Sequence, residues 1–234
     1  MHAIIVAAGL SSRLRPLTND TPKGLLPVGD RSLITRSIET LRNQGISQIT
    51  MVVGAMREQI QEHVGPDIRY VHNPFYAQTN NMGSLWFALN TIPNEEFLYL
   101  HGDLIYAPEI LSGILMENKI NNASLVVDFS SIDEEAMKVR TKDNKFVESD
   151  KSIPLNEAAG EWIGIARFSS PAASLLHQTI DEMLANNEFQ SYDTAAFNKM
   201  AREGFEFDLL ATNGSPWFEI DTLEDLTEAR ILFS

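Results

Sequence analysis

The chain opens with the stretch IIVAAGLSSRLRPLTNDTPK, which occupies residues 4–23. Its apolar start, residues 4–6, is predicted to form a buried strand. The strand runs into AAG at residues 7–9, where the near absence of side chains leaves backbone N–H groups free to face a ligand. Two cations, Arg13 and Lys23, follow within one loop's reach. Because amides supply directional donors and arginine supplies a bidentate fork, this stretch is predicted to cradle a polyphosphate.

Two common phosphate-binding loops do not match this stretch. A P-loop requires G-x-x-x-x-G-K-[ST], but here Lys23 precedes Gly24 and neither Ser nor Thr follows it. The dinucleotide fingerprint requires G-x-G-x-x-G, and only Gly9 is present. The spacing that remains, over residues 7–23, is A-A-G-x-x-x-R-x-x-P-x-T-x-x-x-P-K. A glycine turn flanked by surface cations is the alternative that the residues alone leave open.

This spacing resembles the signature of the nucleotidyltransferases that join a nucleoside monophosphate to a phosphorylated sugar or alcohol. The positions that match it are Gly9, Arg13, Pro16, Thr18, Pro22 and Lys23. The resemblance implies a nucleotidyltransferase fold of the GT-A-like type, with magnesium as the cofactor. It also implies that Arg13 holds the β and γ phosphates. Lys23 would bridge the α-phosphate and the acceptor phosphate, where it stabilises charge in the transition state.

Composition narrows the class of protein further. The 234 residues are 44% hydrophobic and carry a net charge of −14. So negative a chain argues against a nucleic acid held through its phosphates. There are no cysteines, which excludes a disulfide framework, a thiolate metal site and a cysteine nucleophile. No apolar run approaches the about 18 residues of a membrane span and no signal peptide precedes the first strand, so we expect a cytoplasmic enzyme, either a monomer or a homodimer.

Strand and helix patterns alternate along the chain and predict an α/β fold, with a Rossmann-like mixed, mostly parallel sheet flanked by helices. The predicted strands are 4–6, 49–53, 68–71, 97–100, 124–127, 161–168 and 205–210, with a hairpin of 137–140 and 146–148. The predicted helices are 55–64, 85–92, 171–185, 194–202 and 221–232, and those that start at 33 and 108. The hairpin predicts a small antiparallel insertion after Asp128. Residues 73–84 are polar and aperiodic, so they are predicted to be a loop.

The chain is predicted to form one nucleotidyltransferase domain over residues 1–234, because no linker, repeat or low-complexity run divides it. Residues 1–127 would then form the nucleotide-binding half. Residues 128–234 would form the acceptor-binding half and would supply the second metal carboxylate.

Two carboxylates far apart in sequence are candidate magnesium ligands. Asp103 comes just past a predicted strand, at the edge where open α/β sheets place their ligands. Asp221 lies in WFEIDT, residues 217–222, where it would also serve as the N-cap of the last helix. A simple turn at Asp103 and a cap at Asp221 are the alternatives that stay open. The resemblance implies that both residues bind magnesium, which prefers oxygen ligands, and Glu219 is a weaker candidate.

Recognition of the nucleotide base is assigned to the first loop and to residues 78–84. Asn80 and Asn81 offer amides that both donate and accept, as reading a pyrimidine edge requires, unless they only form a turn. Gly83 and Ser84 match a small-residue pair that the family places at the base. The candidate nucleotide-binding residues are Ala7, Ala8, Gly9, Ser11, Ser12, Asn80, Asn81, Gly83 and Ser84.

The second half of the chain resembles one branch of these enzymes. The segments EAMKV at 135–139 and GEWIGIA at 160–166 look like the phosphocholine and aminoethylphosphonate cytidylyltransferases. The resemblance implies transfer of CMP from CTP to a small phosphorylated amino alcohol, whose phosphate Lys138 and Lys151 would neutralise. Aromatic and acidic neighbours would suit its ammonium group through cation–π and charge attraction. The candidate acceptor-binding residues are Lys138, Lys151, Glu161, Trp162, Gly164, Tyr192 and Trp217, with acidic Asp128 and Asp193 beside them.

Two other functions stay open. A hexose-1-phosphate nucleotidyltransferase using UTP or dTTP would need an acceptor pocket rich in Asn and Gln, which GEW at 160–162 fits less well. A nucleotide sensor without turnover would be expected to lose Lys23 or a metal carboxylate, and none is lost. The acceptor also stays open, because NNMGS at 80–84 departs from the more aromatic version of many phosphocholine enzymes.

Overall fold

The computed structural model describes residues 1–116, 122–130 and 132–233. The strands of these residues are, in chain order, β1 (His2–Ala7), β2 (Pro27–Val28), β3 (Arg31–Ser32), β4 (Gln48–Val53), β5 (Arg69–His72), β6 (Phe97–His101), β7 (Leu104–Tyr106), β8 (Ala123–Asp128), β9 (Lys138–Lys142), β10 (Lys145–Ser149), β11 (Gly160–Phe168), β12 (Phe207–Ala211) and β13 (Trp217–Glu219). The helices are α1 (Leu33–Asn43), α2 (Arg57–Val64), α3 (Asn81–Leu89), α4 (Pro108–Met116), α5 (Ser170–Ala185), α6 (Asp193–Arg202) and α7 (Leu223–Phe233). Within the described ranges, no helix combines the length and the apolar character needed to cross a bilayer.

Nine strands form one mixed sheet, and its first half is parallel. Four neighbouring strands run in the order β6, β1, β4 and β5. Val6 of β1 pairs with His101 of β6, and Ala7 pairs with Val53 of β4. The carboxyl ends of parallel strands share one edge of a sheet, so the loops after β1, β4 and β6 open together there. The predicted α/β class and the mostly parallel, helix-flanked sheet are confirmed.

The strand β11 joins these parallel strands to the rest of the sheet, which is antiparallel except for the parallel pair of β8 and β12. One edge of β11 pairs with β9 and then with β6, and its other edge pairs with β8. The register on β8 shifts between Trp162 and Ala166, where Gly164 has a φ of +80°. The predicted hairpin is present as β9 and β10, with Asp143 and Asn144 in the left-handed conformation at its turn. Two such residues in a tight turn match the twist of a hairpin.

Two apolar clusters fill the two faces of the sheet. Alternate side chains of β1 divide between them, with Ile4 in one and Ile5 in the other. The first cluster includes Phe197 of α6, and the second includes Ile34 of α1 and Leu111 of α4. Each fully buried side chain of this size stabilises the fold by about 1.5–3 kcal/mol. The strand ends that carry the site are therefore fixed from both faces.

The segment before α3 corrects one sequence expectation. Residues 73–84 were predicted to be a loop, which is wrong for residues 81–84, because α3 begins at Asn81. The side chain of Asn80 caps this helix by accepting the N–H of Asn81 at 2.8 Å. Met82 is the one apolar side chain in the first turn of α3, between Asn81 and Gly83, so the helical periodicity is weak there in the sequence.

A short antiparallel ribbon brings the two distant carboxylates together. Strand β13 pairs with β7, so that Glu219 lies opposite Leu104. The N–H of Ile220 also donates to the backbone oxygen of Asp103 at 3.0 Å. Asp221 therefore arrives beside Asp103, although the two residues are far apart in sequence.

Candidate active site

A cavity of about 370 Å³ opens at the carboxyl edge of the parallel strands. The predicted site residues that line it are Ala7, Ala8, Gly9, Ser11, Ser12, Arg13, Lys23, Asn80, Asn81, Ser84, Asp103, Lys151, Trp162, Gly164, Tyr192 and Asp221. Four predicted residues, Gly83, Lys138, Glu161 and Trp217, do not line it. Glu219, the weaker magnesium candidate of the sequence analysis, also lines it, and so does His101, which was assigned no site role from the sequence.

The loop after β1 is braced from within. Ser11 adopts a left-handed conformation with a φ of 51°. The hydroxyl of Thr18, which is 2% exposed, donates to the backbone oxygen of Ser11 at 2.6 Å. The threonine of the sequence motif therefore fixes the shape of the loop, while the backbone and Arg13 are left to meet a ligand.

Gly102 allows the ends of β1 and β6 to touch. Its N–H donates to the backbone oxygen of Val6 at 2.9 Å. A Cβ at this position would lie 2.8 Å from both that oxygen and the Cβ of Ala7, closer than side chains tolerate. The absence of a side chain therefore places Asp103 next to the phosphate-binding loop.

Lys23 joins the two candidate metal carboxylates. Its Nζ lies 2.8 Å from Oδ2 of Asp103 and 2.7 Å from Oδ1 of Asp221. Burial lowers the pKa of Lys23, but the charges and hydrogen bonds of the two carboxylates outweigh burial and hold this pKa above its usual value. Burial raises the pKa of Asp103, but Lys23 and His101 hold it below its usual range. The ammonium of Lys23 and the carboxylate of Asp103 are therefore ionised at neutral pH.

Arg13 approaches the same centre from the solvent side. Its guanidinium donates to Oδ2 of Asp221 at 2.6 Å, and its side chain is 58% exposed. An exposed arginine can exchange a carboxylate for a phosphate at small cost, because both are bidentate acceptors. Its position in the cavity is compatible with the expected contact to a polyphosphate.

The carboxylates fit a divalent cation. One ligating atom from each of His101, Asp103 and Glu219 lies within 4.8 Å of the other two. Oδ1 of Asp103 is buried and has no hydrogen-bond partner within the described part of the chain. Burial, followed by the charge of Asp103, raises the pKa of Glu219 to about 7. Carboxylate oxygens gathered in this way suit magnesium, so Asp103 and Glu219 would hold it, and Asp221, which shares the ammonium of Lys23 with Asp103, is the further candidate.

His101 is a cavity residue that sequence reasoning missed. Its Nε2 lies 2.9 Å from Oδ2 of the buried Asp193. Burial lowers the pKa of His101, but the charge and hydrogen bond of Asp193 outweigh burial and raise it to about 9. A signal was present in the sequence, because His101 and Asp103 are two residues apart at a strand end and such residues share a face.

The expected acceptor lysines have different positions. Lys151 lines the cavity, but Lys138 is 1% exposed and lies outside it. The Nζ of Lys138 donates to the backbone oxygens of Glu134 at 2.6 Å and of Lys151 at 2.7 Å. The structure therefore does not support the expected contact of Lys138 with an acceptor phosphate. It gives Lys138 the role of holding the segment that carries Lys151.

The expected aromatic cage is not assembled in the cavity. Trp162 is only 3% exposed, and the rings of Tyr99, His101 and Phe197 lie around it. Its buried indole N–H has no hydrogen-bond partner among residues that the structure describes. The burial of the ring leaves no open face for a cation.

Of the other expected acceptor residues, some line the cavity and some do not. Trp217 donates its indole N–H to Oδ2 of Asp128 at 2.8 Å and lies outside the cavity. Glu161 also lies outside it, whereas Tyr192 lines it and is 42% exposed. Gly83 packs against Thr79, which a Cβ would contact at 2.8 Å, and this close approach explains the small residue there.

The phosphate loop, the paired carboxylates and the sheet together define a nucleotidyltransferase. Residues 3–137 match the family model described as the MobA-like NTP transferase domain, and the chain belongs to this family. The resemblance stated from residues 7–23 is thereby confirmed.

Relatives and solved structures agree with this membership. The choline-phosphate cytidylyltransferase of Streptococcus pneumoniae is 30% identical over 233 residues, which cover 96% of this chain and 95% of that protein. The 2-aminoethylphosphonate cytidylyltransferase of Lancefieldella rimae is 34% identical over 110 residues, which cover 46% of this chain and 45% of that protein. The solved structure of CTP:phosphocholine cytidylyltransferase from Streptococcus pneumoniae superposes with a TM-score of 0.77 at 26% identity and covers 100% of this chain and 99% of that one. The inositol-1-phosphate CTP transferase from T. maritima shares the fold, with a TM-score of 0.81 at 21% identity, covering 98% of this chain and 94% of that one.

Proposed function

We propose that this nucleotidyltransferase is a magnesium-dependent cytidylyltransferase. It transfers CMP from CTP to a small phosphorylated amino alcohol or aminophosphonate, such as phosphocholine or aminoethylphosphonate, and releases pyrophosphate. The observation that carries the proposal is Lys23, held between Asp103 and Asp221 in the cavity beside the phosphate-binding loop. The similarity to choline-phosphate cytidylyltransferase over nearly the full length of both chains supports CTP as the nucleotide.

The nucleotide meets the first half of the cavity. The loop at residues 7–13 and the guanidinium of Arg13 bind the β and γ phosphates, and Lys23 stabilises the charge that develops at the α-phosphate. Asp103, Asp221 and Glu219 would hold magnesium, which would supply positive charge against the phosphates.

The acceptor supplies its own nucleophile. A phosphate with a second pKa of about 6 is ionised near pH 7, so its oxygen attacks the α-phosphorus without a general base. The new phosphorus–oxygen bond forms as the bond to pyrophosphate breaks. Lys151 lines the cavity and attracts the acceptor phosphate.

A negative field lies beside this part of the cavity. Burial, and then the charges of Asp133, Glu219 and Asp128, raises the pKa of Glu161 to about 7. A cation placed near these carboxylates is attracted by all of them, which supports an ammonium-bearing acceptor. We infer, as the sequence predicts, that residues 1–127 of the single domain bind the nucleotide and that residues 128–234 bind the acceptor.

A hexose-1-phosphate nucleotidyltransferase is the second candidate. The UTP–glucose-1-phosphate uridylyltransferase of Haloferax volcanii is 35% identical over 109 residues, which cover 45% of this chain and 44% of that protein. The acidic field around Glu161 favours the ammonium-bearing acceptor over a sugar. A nucleotide sensor without turnover is the third, and the retention of Lys23 and both carboxylates disfavours it.

The test is pyrophosphate release with magnesium, in a matrix of CTP, UTP, dTTP, ATP and GTP against phosphocholine, aminoethylphosphonate and glucose 1-phosphate. We expect release with CTP and one of the two nitrogen-bearing acceptors. Release only with glucose 1-phosphate would overturn the acceptor class, and release only with another nucleotide would overturn the base preference. Calorimetric CTP binding without any release would favour the sensor. The variant Lys23→Ala is the matched control, because release that belongs to this site should fall by about 10²–10³-fold in it.

A further inference from the structure

Asp193 is a buried carboxylate beside the cavity. It is 0% exposed at the first turn of α6. Its Oδ2 lies 2.6 Å from the hydroxyl of Tyr99 and 2.9 Å from Nε2 of His101, and its Oδ1 accepts the N–H of Thr194 at 2.8 Å. Oδ2 of Asp193 is an acceptor shared by the Tyr99 hydroxyl and the His101 ring, so Nε2 of His101 carries a hydrogen and donates it to Asp193.

This assignment decides what Asn81 offers to a ligand. The amide nitrogen of Asn81 lies 3.3 Å from Nε2 of His101, but both atoms carry hydrogens, so this contact is not a hydrogen bond. Oδ1 of Asn81 accepts the backbone N–H of Asp193 at 2.9 Å, which fixes the orientation of the amide. The amide nitrogen of Asn81 therefore keeps its hydrogens for a ligand in the cavity that this residue lines.

His101 is held on its other sides as well. The ring of Trp162 meets it edge to face, with centroids 5.0 Å apart. Gly164 leaves room for the ring, because a Cβ there would lie 2.7 Å from Nδ1 of His101. The ring of His101 thus lies between Trp162 and the carboxylate of Asp103 at the end of β6. Asp193 sets the orientation of this ring.

We infer that Asp193 is a positioning residue for nucleotidyl transfer. Its carboxylate orients His101, which lines the cavity near Asp103, and its backbone N–H orients Asn81 on the nucleotide side. One buried group thus fixes two walls of the cavity without contacting either substrate. The kinetic part of this inference rests on the proposed function, whereas its geometric part does not.

The variant Asp193→Asn tests the inference. The amide keeps the shape of the carboxylate but replaces one acceptor oxygen with an NH₂ group, so at least one of the three donors loses its partner. We expect kcat/KM to fall by about tenfold or more, as for other partners that orient a site residue. Tyr99→Phe is the matched control, because it removes a hydrogen bond to the same Oδ2 and leaves that of His101. It is expected to lower the Tm and to change kcat/KM less than about twofold, and equal kinetic losses in the two variants would overturn the inference.

A double-mutant cycle separates positioning from general destabilisation. His101→Gln alone is expected to lower kcat/KM. Asp193→Asn should then lower kcat/KM less in the His101→Gln background than in the wild type, and the two fold losses should differ by about fivefold or more. Independent, multiplying losses would contradict a role that acts through His101.

A spectroscopic measurement needs no turnover. In ¹⁵N-histidine-labelled protein we expect a slowly exchanging Nε2–H resonance for His101, which Asp193→Asn shifts or broadens and Tyr99→Phe retains. Absence of this resonance from the wild-type spectrum would overturn the inference, and so would a resonance that is unchanged in Asp193→Asn. If Asp193→Asn does not fold, the wild-type spectrum alone decides. If the spectra are as expected but the wild type transfers no nucleotide, the proposed function fails and the geometric part of the inference stands. Calorimetric CTP affinity then takes the place of kcat/KM, and an affinity unchanged in Asp193→Asn would overturn positioning.

Discussion

The Nζ of Lys23 lies 2.7 Å from Oδ1 of Asp221, which comes from near the other end of the chain. Asp103 and Arg13 complete this set of charges, at 2.8 Å from Lys23 and 2.6 Å from Asp221 respectively. Phosphates and carboxylates compete for the same cations, and both also bind magnesium. A magnesium nucleotide can therefore enter by exchanging partners with these side chains rather than by burying unpaired charges.

Lys23→Ala is expected to lower kcat by about 10²–10³-fold, as loss of one transition-state donor does. It also leaves two neighbouring carboxylates without their cation, and breaking a buried pair costs about 3–5 kcal/mol. Magnesium should therefore raise the Tm of this variant more than that of the wild type. Kinetics and thermal unfolding with and without magnesium measure both effects.

Arg13→Ala is the control for stability, because an exposed ion pair contributes only about 0–1 kcal/mol. Its Tm should stay close to that of the wild type. Near-normal turnover in Lys23→Ala would contradict the proposed role of this lysine.

Gly164→Ala is expected to lower both stability and activity. Gly164 has a φ of +80°, and an L-residue in this conformation costs about 1–2 kcal/mol. Its Cβ would also lie 2.7 Å from Nδ1 of His101 and displace the ring. Gly45→Ala is a matched control, since Gly45 also has a φ of +80° and a Cβ there would meet nothing within 4 Å. Both variants should lose stability in thermal unfolding, but only Gly164→Ala should lose kcat/KM, and equal kinetic behaviour would contradict the importance of the His101 position.

Lys138 and Lys151 should separate stability from acceptor binding. Lys138→Met leaves two backbone oxygens without their donor, at about 1–3 kcal/mol for each one that stays unsatisfied, so the Tm should fall. The acceptor KM should rise with it, because Lys151 loses the bond that holds its backbone. Lys151→Ala should raise the acceptor KM by about tenfold with little change in Tm, as loss of one charged contact does. A raised KM in Lys138→Met at unchanged Tm would indicate that Lys138 itself reaches the acceptor.

The part of the cavity lined by residues 7–23 was predictable because its signal is local. The chain needs small residues where a strand end approaches a ligand, and the cations follow within the same loop at Arg13 and Lys23. Asp103 was predictable from its place after a strand. His101 carries the same local signal, but the partner that defines its role, Asp193, lies on a distant helix, and no spacing in the sequence connects the two.

The acceptor half was less predictable because burial there depends on packing between distant elements. Lysine at position 138 and tryptophan at position 162 have side chains suited to a phosphate and an ammonium, but the fold buries both. The ammonium of Lys138 donates hydrogen bonds to backbone oxygens, and the ring of Trp162 packs against other aromatic rings. Residue type shows what a side chain can bind, whereas the fold decides whether a ligand can reach it.

Glu161→Gln is expected to stabilise the protein increasingly as pH rises. Burial, and then the charges of Asp133, Glu219 and Asp128, raises the pKa of Glu161 to about 7 in the folded protein. In the unfolded chain it is about 4.3, so the folded state favours the neutral acid. The stability that this preference contributes is complete below about pH 4.3 and is lost as pH rises through about 7. Glutamine stays neutral throughout, so the Tm of the variant relative to the wild type should increase between pH 5 and pH 8.

The measurement is thermal unfolding of both proteins across this range. Glu109→Gln, which removes an exposed carboxylate from the first turn of α4, controls for the loss of one negative charge from an acidic protein. A Tm difference for Glu161→Gln that is the same at pH 5 and pH 8 would mean that Glu161 is already ionised at pH 5 in the folded protein. The neighbouring carboxylates would then not form the concentrated negative field on which the choice of an ammonium-bearing acceptor depends. This result would favour the hexose-1-phosphate nucleotidyltransferase as the function.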